Sequence, residues 1–375
     1  MTNRELFHAT MNFANGKELL HLEHGFWPEL LDDWRKEGWG QGVSDPEVLG
    51  MAPEPDVFDH FNICQMAYYT INQHFLPGLK SEVISEKDGR RTTRDEIGTE
   101  VEVRTDGASL PHTTKFGIKD KVDYLAVRDR LIGNFAQRAT VYDLSTVGPA
   151  AQKQQDHIVG LHVNGPFAFL RDILGVENAM MIPYLDPELT RMILDDHLEV
   201  CKQAGEITIK ALKPDFCFIW EDSTYKNGPM VSPSLFEEFH LPFYKEWTAF
   251  VKECGVKYSI VDTDGDPTAL LPLWIQGGID GMLPWEANAV DIVKVAEDFP
   301  DLVLFGGVSK HALEKDAAAI DEELQRVLPA LSERGGYIAA LDHHVPQGVS
   351  LANFRYYCNR LVDYGKANRS TRFEK

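Results

Sequence analysis

The stretch that decides the fold runs from Val256 to Asp266 and reads Val-Lys-Tyr-Ser-Ile-Val-Asp-Thr-Asp-Gly-Asp. A short run of β-branched and aromatic residues ends there in three carboxylates around a glycine, which is typical of a buried strand that delivers acids to its exit. Because side chains alternate along a strand, we expect Asp262 and Asp264 to point to the same side. Two acids on one side of a strand end indicate a functional site.

A pattern of apolar strand, polar turn, amphipathic helix and glycine recurs along the second half of the chain. Ser232 and Pro233 suit the first positions of a helix whose aromatic face extends to Phe250, and Gly255 ends it before the next strand. Further units predict strands at 281–283 and 302–305, and helices at 270–276, 291–299 and 316–331. Such repeated units favour a closed (β/α)₈ TIM barrel of class α/β, with a doubly wound open sheet as the alternative.

The first half of the chain is less regular. Residues 61–79 look helical, and residues 81–106 alternate charged residues with Val and Ile like a meander of hairpins, with turns at Lys87-Asp88-Gly89 and Asp106-Gly107. We interpret residues 1–120 as an N-terminal extension of helices and hairpins that covers the barrel mouth. Residues 121–375 then form the catalytic barrel, and the whole chain is expected to be one compact domain.

Composition excludes several classes of function. Among 375 residues, 37 basic and 58 acidic side chains give a net charge of −21, which opposes binding to nucleic acid or to an anionic membrane surface. The five cysteines are odd in number and form no C-x-x-C pair, so the sequence predicts neither a disulfide framework nor a thiolate zinc cluster. With no signal peptide and no apolar stretch of membrane-spanning length, we expect a cytoplasmic protein.

Acids and histidines follow the predicted strands at their carboxyl ends, where barrels carry their active sites. The candidate residues are His162, Asn164, Glu221, Asp222, Asp262, Asp264, Glu286, Asp342, His343 and His344. Structural roles compete with functional ones: an aspartate before Gly265 can simply cap the turn, Glu221 can form a surface ion pair with Lys226, and His162 can be a hydrogen-bonded loop residue. A cap needs only one acid, so the pair at 262 and 264 favours function.

Four segments carry a family resemblance. They are Glu221-Asp-Ser-Thr-Tyr-Lys-Asn-Gly-Pro-Met, Leu241-Pro-Phe-Tyr-Lys, Val261-Asp-Thr-Asp-Gly-Asp and Gly335-Gly-Tyr-Ile-Ala-Ala-Leu-Asp-His-His-Val-Pro. Together they resemble the uroporphyrinogen decarboxylase superfamily, closely over the second half of the chain. Over the first half the resemblance is looser and rests on Gly25-Phe-Trp-Pro-Glu-Leu, Trp34-Arg-Lys-Glu-Gly and Arg94-Asp-Glu-Ile-Gly. The resemblance implies a (β/α)₈ barrel.

The resemblance implies one of two activities. The decarboxylase proper binds a porphyrinogen with eight carboxylates through an Arg-Gln-Ala-Gly-Arg motif, which this chain lacks, and an acidic mouth would repel that ligand. The other branch transfers methyl groups to the cobalt of a corrinoid protein. Its thiol-methylating members hold zinc through thiolates and an imidazole at positions that align here with Asp262, Asp264 and His343. The oxygen ligands here argue against methylation of a thiol, and an oxygen-rich zinc site, a magnesium site or no metal stay open.

The function expected from the sequence is therefore transfer of a methyl group from a small methoxylated aromatic substrate to a separate corrinoid protein. Glu221, Asp222, Asp262 and Asp264 would assist the leaving oxygen as acids, since crowded carboxyls raise one another's pKa. Substrate contacts would come from His162, Asn164, Lys226, Glu286 and His344. The corrinoid must arrive on its partner because the chain lacks an Asp-x-His-x-x-Gly motif. The sequence does not decide whether the protein forms a homodimer. Three alternative functions also stay open: methyl transfer from a methylamine or methanol, a divergent decarboxylase, and an inactive ligand-binding barrel.

Overall fold

The computed structural model describes residues 1–14, 16, 18–39, 57, 60–105, 111–139, 144–153 and 157–370. Its main feature is a sheet of eight parallel strands: β1 (Leu20–His21), β2 (Met66–Thr70), β3 (Ile158–Asn164), β4 (Phe216–Trp220), β5 (Tyr258–Asp262), β6 (Gly281–Leu283), β7 (Val303–Phe305) and β8 (Tyr337–Ala339). They lie in the order β1-β8-β7-β6-β5-β4-β3-β2. The Cys64 N–H donates to the carbonyl oxygen of His21 at 2.9 Å, which joins the two ends of this order. The α/β prediction is confirmed, with a curled, TIM-barrel-like sheet.

Helices connect the strands. In chain order they are Asn3–Met11, Pro28–Lys36, Lys121–Leu131, Phe135–Arg138, Leu144–Lys153, Pro166–Leu174, Val176–Leu185, Pro187–Leu212, Pro233–Leu235, a π-helical segment Phe236–His240, Leu241–Glu253, Leu271–Gln276, Ile292–Asp298, Lys310–Leu313, Ala317–Arg334 and Leu351–Ser370. Ser232 caps its helix as predicted, because its hydroxyl accepts the Leu235 N–H at 3.3 Å. The π segment precedes Pro242, which has no N–H to continue the regular ladder. Among these helices, none is both long and apolar enough to cross a membrane.

Two predictions for the first half of the chain were wrong. The segment 61–79 contains strand β2 rather than a helix; all five of its strand residues are half-buried, so the alternation that identifies a strand is missing. Residues 1–120 also do not stand outside the barrel, because they supply β1 and β2 to the eight-stranded sheet. Residue 120 is therefore not a boundary between an extension and a barrel.

The predicted meander of hairpins is present as a four-stranded antiparallel sheet. Its strands are Ser81–Lys87, Arg90–Asp95, Glu100–Arg104 and His112–Lys115. The first hairpin turns at Asp88 and Gly89, whose φ angles of 53° and 70° match the two-residue turn that suits twisted strands. The other predicted turn, Asp106-Gly107, lies outside the described residues.

The barrel-like sheet is filled with apolar side chains from alternate strand positions. This interior cluster includes Leu20, Ile158, Phe216, Phe218, Ile260, Leu283, Val303, Phe305 and Ile338. The N-terminal helix closes the amino-terminal end of the sheet: Phe7 is fully buried, with its ring 5.4 Å from that of Phe216. The N-terminal helix thus lies at the end opposite the one where we expected a cover.

Candidate active site

The first and last strands bring the two ends of the chain together at the carboxyl end of the sheet, here called the mouth. Strand β1 pairs in parallel with β8, Leu20 opposite Ile338 and His21 opposite Ala339. The segments that follow stay side by side, since the Val345 N–H donates to the Gly25 carbonyl oxygen at 2.9 Å. This backbone pairing places His24 beside His343 and His344.

Five side chains form what we call the mouth cluster: His24, Asp262, Asp264, His343 and His344. One ring nitrogen from each of the three histidines lies within 4.8 Å of the others. His343 Nδ1 lies 3.4 Å from His344 Nδ1, and its Nε2 lies 3.5 Å from Asp264 Oδ1. His24 Nε2 lies 3.9 Å from Asp262 Oδ2. The structure therefore joins the predicted aspartate pair to a group of imidazoles.

The two aspartates differ in electrostatic environment. Asp262 ends β5 on its interior side and is only 5% exposed. Burial, followed by the nearby charges of Asp264 and Asp222, raises its pKa well above the usual value. Burial also raises the pKa of Asp264, but the interactions with His343, His24 and Lys310 together outweigh burial and lower the pKa of that carboxyl. The prediction that crowded acids shift one another therefore applies to Asp262.

Two histidines of the cluster, His24 and His344, are disposed to be neutral. Burial, and then the charges of His344 and His343, hold the pKa of His24 well below its usual range. Burial and the neighbouring His343 lower the pKa of His344 to about 4. A neutral imidazole offers a nitrogen lone pair, which is the form that binds a metal or accepts a proton.

Asp222 and Asn164 belong to a second polar group beside the cluster. Arg171 Nη1 donates to Asp222 Oδ2 at 2.6 Å, and its guanidinium lies 4.6 Å from the centre of the Trp220 ring. The Asn164 amide donates to Asp172 Oδ2 at 2.8 Å. Asp222 still contributes to the raised pKa of Asp262, so this second polar group and the mouth cluster are electrostatically linked.

Glu221 lies away from the mouth, contrary to its predicted role as a catalytic acid. Phe216, Phe218 and Trp220 face the interior, so the next side chain faces the surrounding helices. Its carboxylate is fully buried, accepts the Phe167 N–H at 3.3 Å and lies 3.5 Å from His240 Nδ1. We therefore assign Glu221 to the support of the helix that begins at Pro166. The surface ion pair with Lys226 is also wrong, since a buried carboxylate cannot form one.

Glu286 and Asp342 share a lysine at the rim of the mouth. Lys310 Nζ lies 3.5 Å from Glu286 Oε1 and 3.5 Å from Asp342 Oδ1. Asp342 is fully buried and accepts the backbone N–H groups of Lys310 and Ala287 at 2.9 and 3.1 Å. Glu286 accepts the Gly265 N–H at 3.0 Å, beside Asp264. These acids order the rim, and Lys310 is a cation that the sequence analysis missed.

Aromatic side chains line the interior below the mouth cluster. The Tyr68 ring lies 4.7 Å from that of Phe218, and the His162 ring lies 5.4 Å from Phe218 on another side. The Thr70 hydroxyl lies 2.9 Å from His162 Nδ1, whereas the buried Nε2 has no hydrogen-bond partner among the described residues. Burial lowers the pKa of His162 to about 4. An unpaired imidazole nitrogen over an aromatic wall suits a polar substrate atom.

Lys226 and His24 mark the limits of the sequence prediction. Lys226 is exposed in the turn between the short strands Thr224–Tyr225 and Gly228–Pro229, so its substrate role has no contact to support it in the described residues. His24 was missed because β1 is only two residues long. Its signal was nevertheless present, since His-Leu-Glu-His-Gly follows an apolar pair as the other active-site segments follow their strands.

Comparisons with known proteins agree with this architecture. Residues 92–364 match the family described as Uroporphyrinogen decarboxylase (URO-D). A methyltransferase from Methanosarcina mazei superposes with a TM-score of 0.64 and 14% identity, over 97% of this chain and 99% of that one. A putative vitamin-B12-independent methionine synthase from Listeria monocytogenes gives a TM-score of 0.41 and 12% identity, over 92% and 96%. No curated protein sequence matches. The first superposition shows a shared fold, and the second carries no argument.

Proposed function

This chain belongs to the uroporphyrinogen decarboxylase family, and we propose that it is a methyltransferase, moving a methyl group from a small methoxylated aromatic substrate to a separate corrinoid protein. The observation that carries the proposal is the mouth cluster: two aspartates and three histidines above an aromatic interior, at the end of the sheet where barrels place their chemistry. The methyltransferase from Methanosarcina mazei, which shares the fold, supports this choice within the family.

The charge of the mouth argues against the decarboxylation of a porphyrinogen. Asp222, Asp264, Glu286 and Asp342 lie at or near the strand ends, and the cations beside them, Arg171 and Lys310, are already engaged by carboxylates. A ligand with eight carboxylates would meet repulsion at several positions. A neutral ether meets no such penalty, and its ring can lie on the aromatic wall.

The reaction proposed for an ether breaks one bond and forms one. The methyl acceptor would be the corrinoid of a partner protein, whose reduced cobalt would form the new bond to the methyl carbon. The electron pair of the broken carbon–oxygen bond stays on the oxygen, which then needs a proton, since a phenol has a pKa near ~10. In this proposal Asp262, buried at the end of β5, delivers that proton, and His162 Nε2, which has no hydrogen-bond partner among the described residues, holds a polar atom of the substrate.

The test follows cobalt absorbance. The purified protein is mixed with a corrinoid protein reduced to Co(I), and guaiacol-type ethers, methylamines, methanol and uroporphyrinogen are added in turn. We expect methyl-cobalt to form with the ethers. Methyl-cobalt from methylamine or methanol alone would replace the donor class, and carbon dioxide released from uroporphyrinogen would overturn the proposal.

A matched pair of variants links the activity to the mouth. Asp262→Asn should abolish most of the methyl transfer. Asp298→Asn removes an exposed carboxylate paired with Lys294 on a surface helix and should leave the rate unchanged. Equal rates for both variants and the unmodified enzyme would remove Asp262 from the mechanism.

A further inference from the structure

We propose that His24, His343 and His344 bind a zinc ion through one ring nitrogen each, and that the ion links the segments after the first and last strands of the barrel. The sequence analysis expected zinc on Asp262, Asp264 and His343, so this site keeps one of those residues and replaces the two carboxylates by imidazoles. The inference concerns metal binding and stands independently of the methyl-transfer proposal.

The positions of the nitrogens fit a tetrahedral ion. Zinc binds imidazole nitrogen at about 2.0–2.1 Å, so two ligands of a tetrahedral site lie about 3.4 Å apart. His343 Nδ1 and His344 Nδ1 are 3.4 Å apart. One donor atom from each of the three histidines lies within 4.8 Å of the other two, so a single ion can be reached by all three side chains.

The carboxylates lie where outer partners of metal-binding histidines are found. A histidine that binds zinc through one nitrogen usually presents the other N–H to a carboxylate, which fixes the ring. His343 directs Nδ1 toward His344 and Nε2 toward Asp264 Oδ1, 3.5 Å away. Asp264 is thus placed to orient His343 from behind.

The backbone holds this site before any ion binds. Besides the pairing of Val345 with Gly25, the Leu341 N–H donates to Glu23 Oε2 at 3.1 Å, and Phe26 bridges to Val345. Gly25 allows a close approach: a Cβ there would lie 2.5 Å from Cδ2 and 2.6 Å from Nε2 of His344. The Trp27 ring packs 5.5 Å from His344 on another side. Residues from both ends of the chain therefore fix the imidazole.

The donor set selects the class of ion. Three imidazoles favour zinc and related transition metals, whereas magnesium and calcium require oxygen ligands. Three protein ligands leave the fourth tetrahedral position open, as in catalytic zinc sites. That position would allow a substrate oxygen to reach the ion, which would act as a Lewis acid.

The experiment measures metal binding by the full chain without any corrinoid. Protein stripped with a chelator is dialysed against zinc, and bound metal is counted by mass spectrometry; cobalt(II) replaces zinc in a parallel sample to give visible bands of a tetrahedral site. We expect one ion per chain and a higher melting temperature with zinc. His24→Gln, His343→Gln and His344→Gln should each lower the affinity at least tenfold and remove the thermal shift.

A matched control keeps the result specific. His311 is exposed and paired with Glu314 on the surface, so His311→Gln should retain the ion and the shift. Circular dichroism establishes that each variant is folded. Substoichiometric zinc in the unmodified protein, or full retention in His24→Gln, would overturn the site. If the protein binds zinc at this site but transfers no methyl group, the proposed function is refuted and the zinc site stands. If the protein transfers methyl groups but binds no zinc, the zinc site is refuted and the proposed function stands.

Discussion

The two ends of the barrel use the same residue types for different purposes. At the amino-terminal end, Asp215 Oδ1 accepts hydrogen bonds from Arg4 and His8, both at 2.8 Å, and its Oδ2 accepts the Val159 N–H at 2.9 Å. At the mouth, Asp262 is equally buried, but the histidine beside it in the described part of the chain, His24, lies 3.9 Å away, beyond hydrogen-bonding distance. Both ends therefore contain a buried aspartate and a histidine, but only one pair is fully hydrogen-bonded.

The pKa values of the two carboxyls follow this difference. Burial alone would raise the pKa of Asp215, but the bonds from His8, Val159 and Arg4 outweigh it and hold the pKa below the usual value. The pKa of Asp262 is raised, because burial and two neighbouring carboxylates act in the same direction. A fully paired carboxylate contributes stability, whereas an incompletely paired one is available for a substrate or an ion.

The largest expected effect is on catalysis at the mouth. Asp262→Asn should lower the rate of methyl transfer by about 10²–10⁴-fold, the range for loss of a positioned acid or base. The free energy of unfolding should not fall, because the amide keeps the shape of the side chain without a buried charge. Cobalt absorbance gives the rate, and urea denaturation gives the stability. A stable variant with full activity would refute a catalytic role for Asp262 at the mouth.

The converse change at the other end should act on stability alone. Asp215→Asn weakens the bonds to Arg4 and His8 and should destabilise the fold by about 2–3 kcal/mol, less than a fully buried ion pair because both partners are partly exposed. Urea denaturation with an unchanged slope measures this loss. The activity per folded molecule should match that of the unmodified enzyme. A tenfold fall in activity without destabilisation would contradict the division of roles.

The stability due to Asp215 should depend on pH in a defined direction. A carboxyl whose pKa is lower in the folded than in the unfolded chain contributes fully above the unfolded value and loses its contribution as the pH falls through the folded one. The usual value is 3.8, so the difference in unfolding free energy between the unmodified protein and Asp215→Asn should be full near pH 7 and shrink below about pH 4. Arg4, His8 and Tyr258 surround the carboxyl, and an added His8→Gln change removes the imidazole from the comparison. A gap that grows on acidification would have the wrong sign.

The sequence predicted the second half of the fold well because its patterns are strong. The helix after Ser232 has an aromatic face and clear end signals, and β5 alternates as expected, since Tyr258 and Ile260 join the interior cluster whereas Val261 packs with the surrounding helices. The first half was misread for physical reasons. Strand β1 has two residues, too few for any period, and β2 is half-buried at every position. Strand β1 forms because it pairs with β8, and strand β2 forms because it pairs with β3. A short stretch of sequence carries no information about such pairing with distant residues.

The same reasons explain which site residues the sequence analysis identified and which it missed. Asp262, Asp264, His343 and His344 directly follow predicted strands, and the structure brings all four together. Glu221 also follows a strand, but one position earlier in the alternation than Asp222, so it faces the helices. His24 follows a strand that could not be predicted, and only the sheet brings it to residues at the other end of the chain.

A smaller effect is expected in the aromatic interior. His162→Phe keeps a ring but removes the nitrogen that has no protein partner in the described structure. Loss of one substrate hydrogen bond worth about 1.4 kcal/mol corresponds to a roughly tenfold higher KM, with a smaller change in kcat. Steady-state kinetics with a series of ethers separates the two constants. The matched change Phe218→Leu alters the wall and not the nitrogen, so an identical KM pattern for both variants would mean that His162 only packs.

The smallest expected effect tests how far the mouth extends. Lys226 was predicted to bind substrate, but it lies exposed in a turn whose neighbour Tyr225 accepts the Asp266 N–H at 3.1 Å. Because an exposed side chain with high freedom contributes little to a site below it, Lys226→Ala should change kcat/KM by less than about twofold, which is within 0.5 kcal/mol. Its salt dependence should also match that of the unmodified enzyme. A larger loss that disappears at high salt would instead place Lys226 in the encounter with an acidic surface of the partner protein, and the contrast between the two ends would then extend to the surface of the rim.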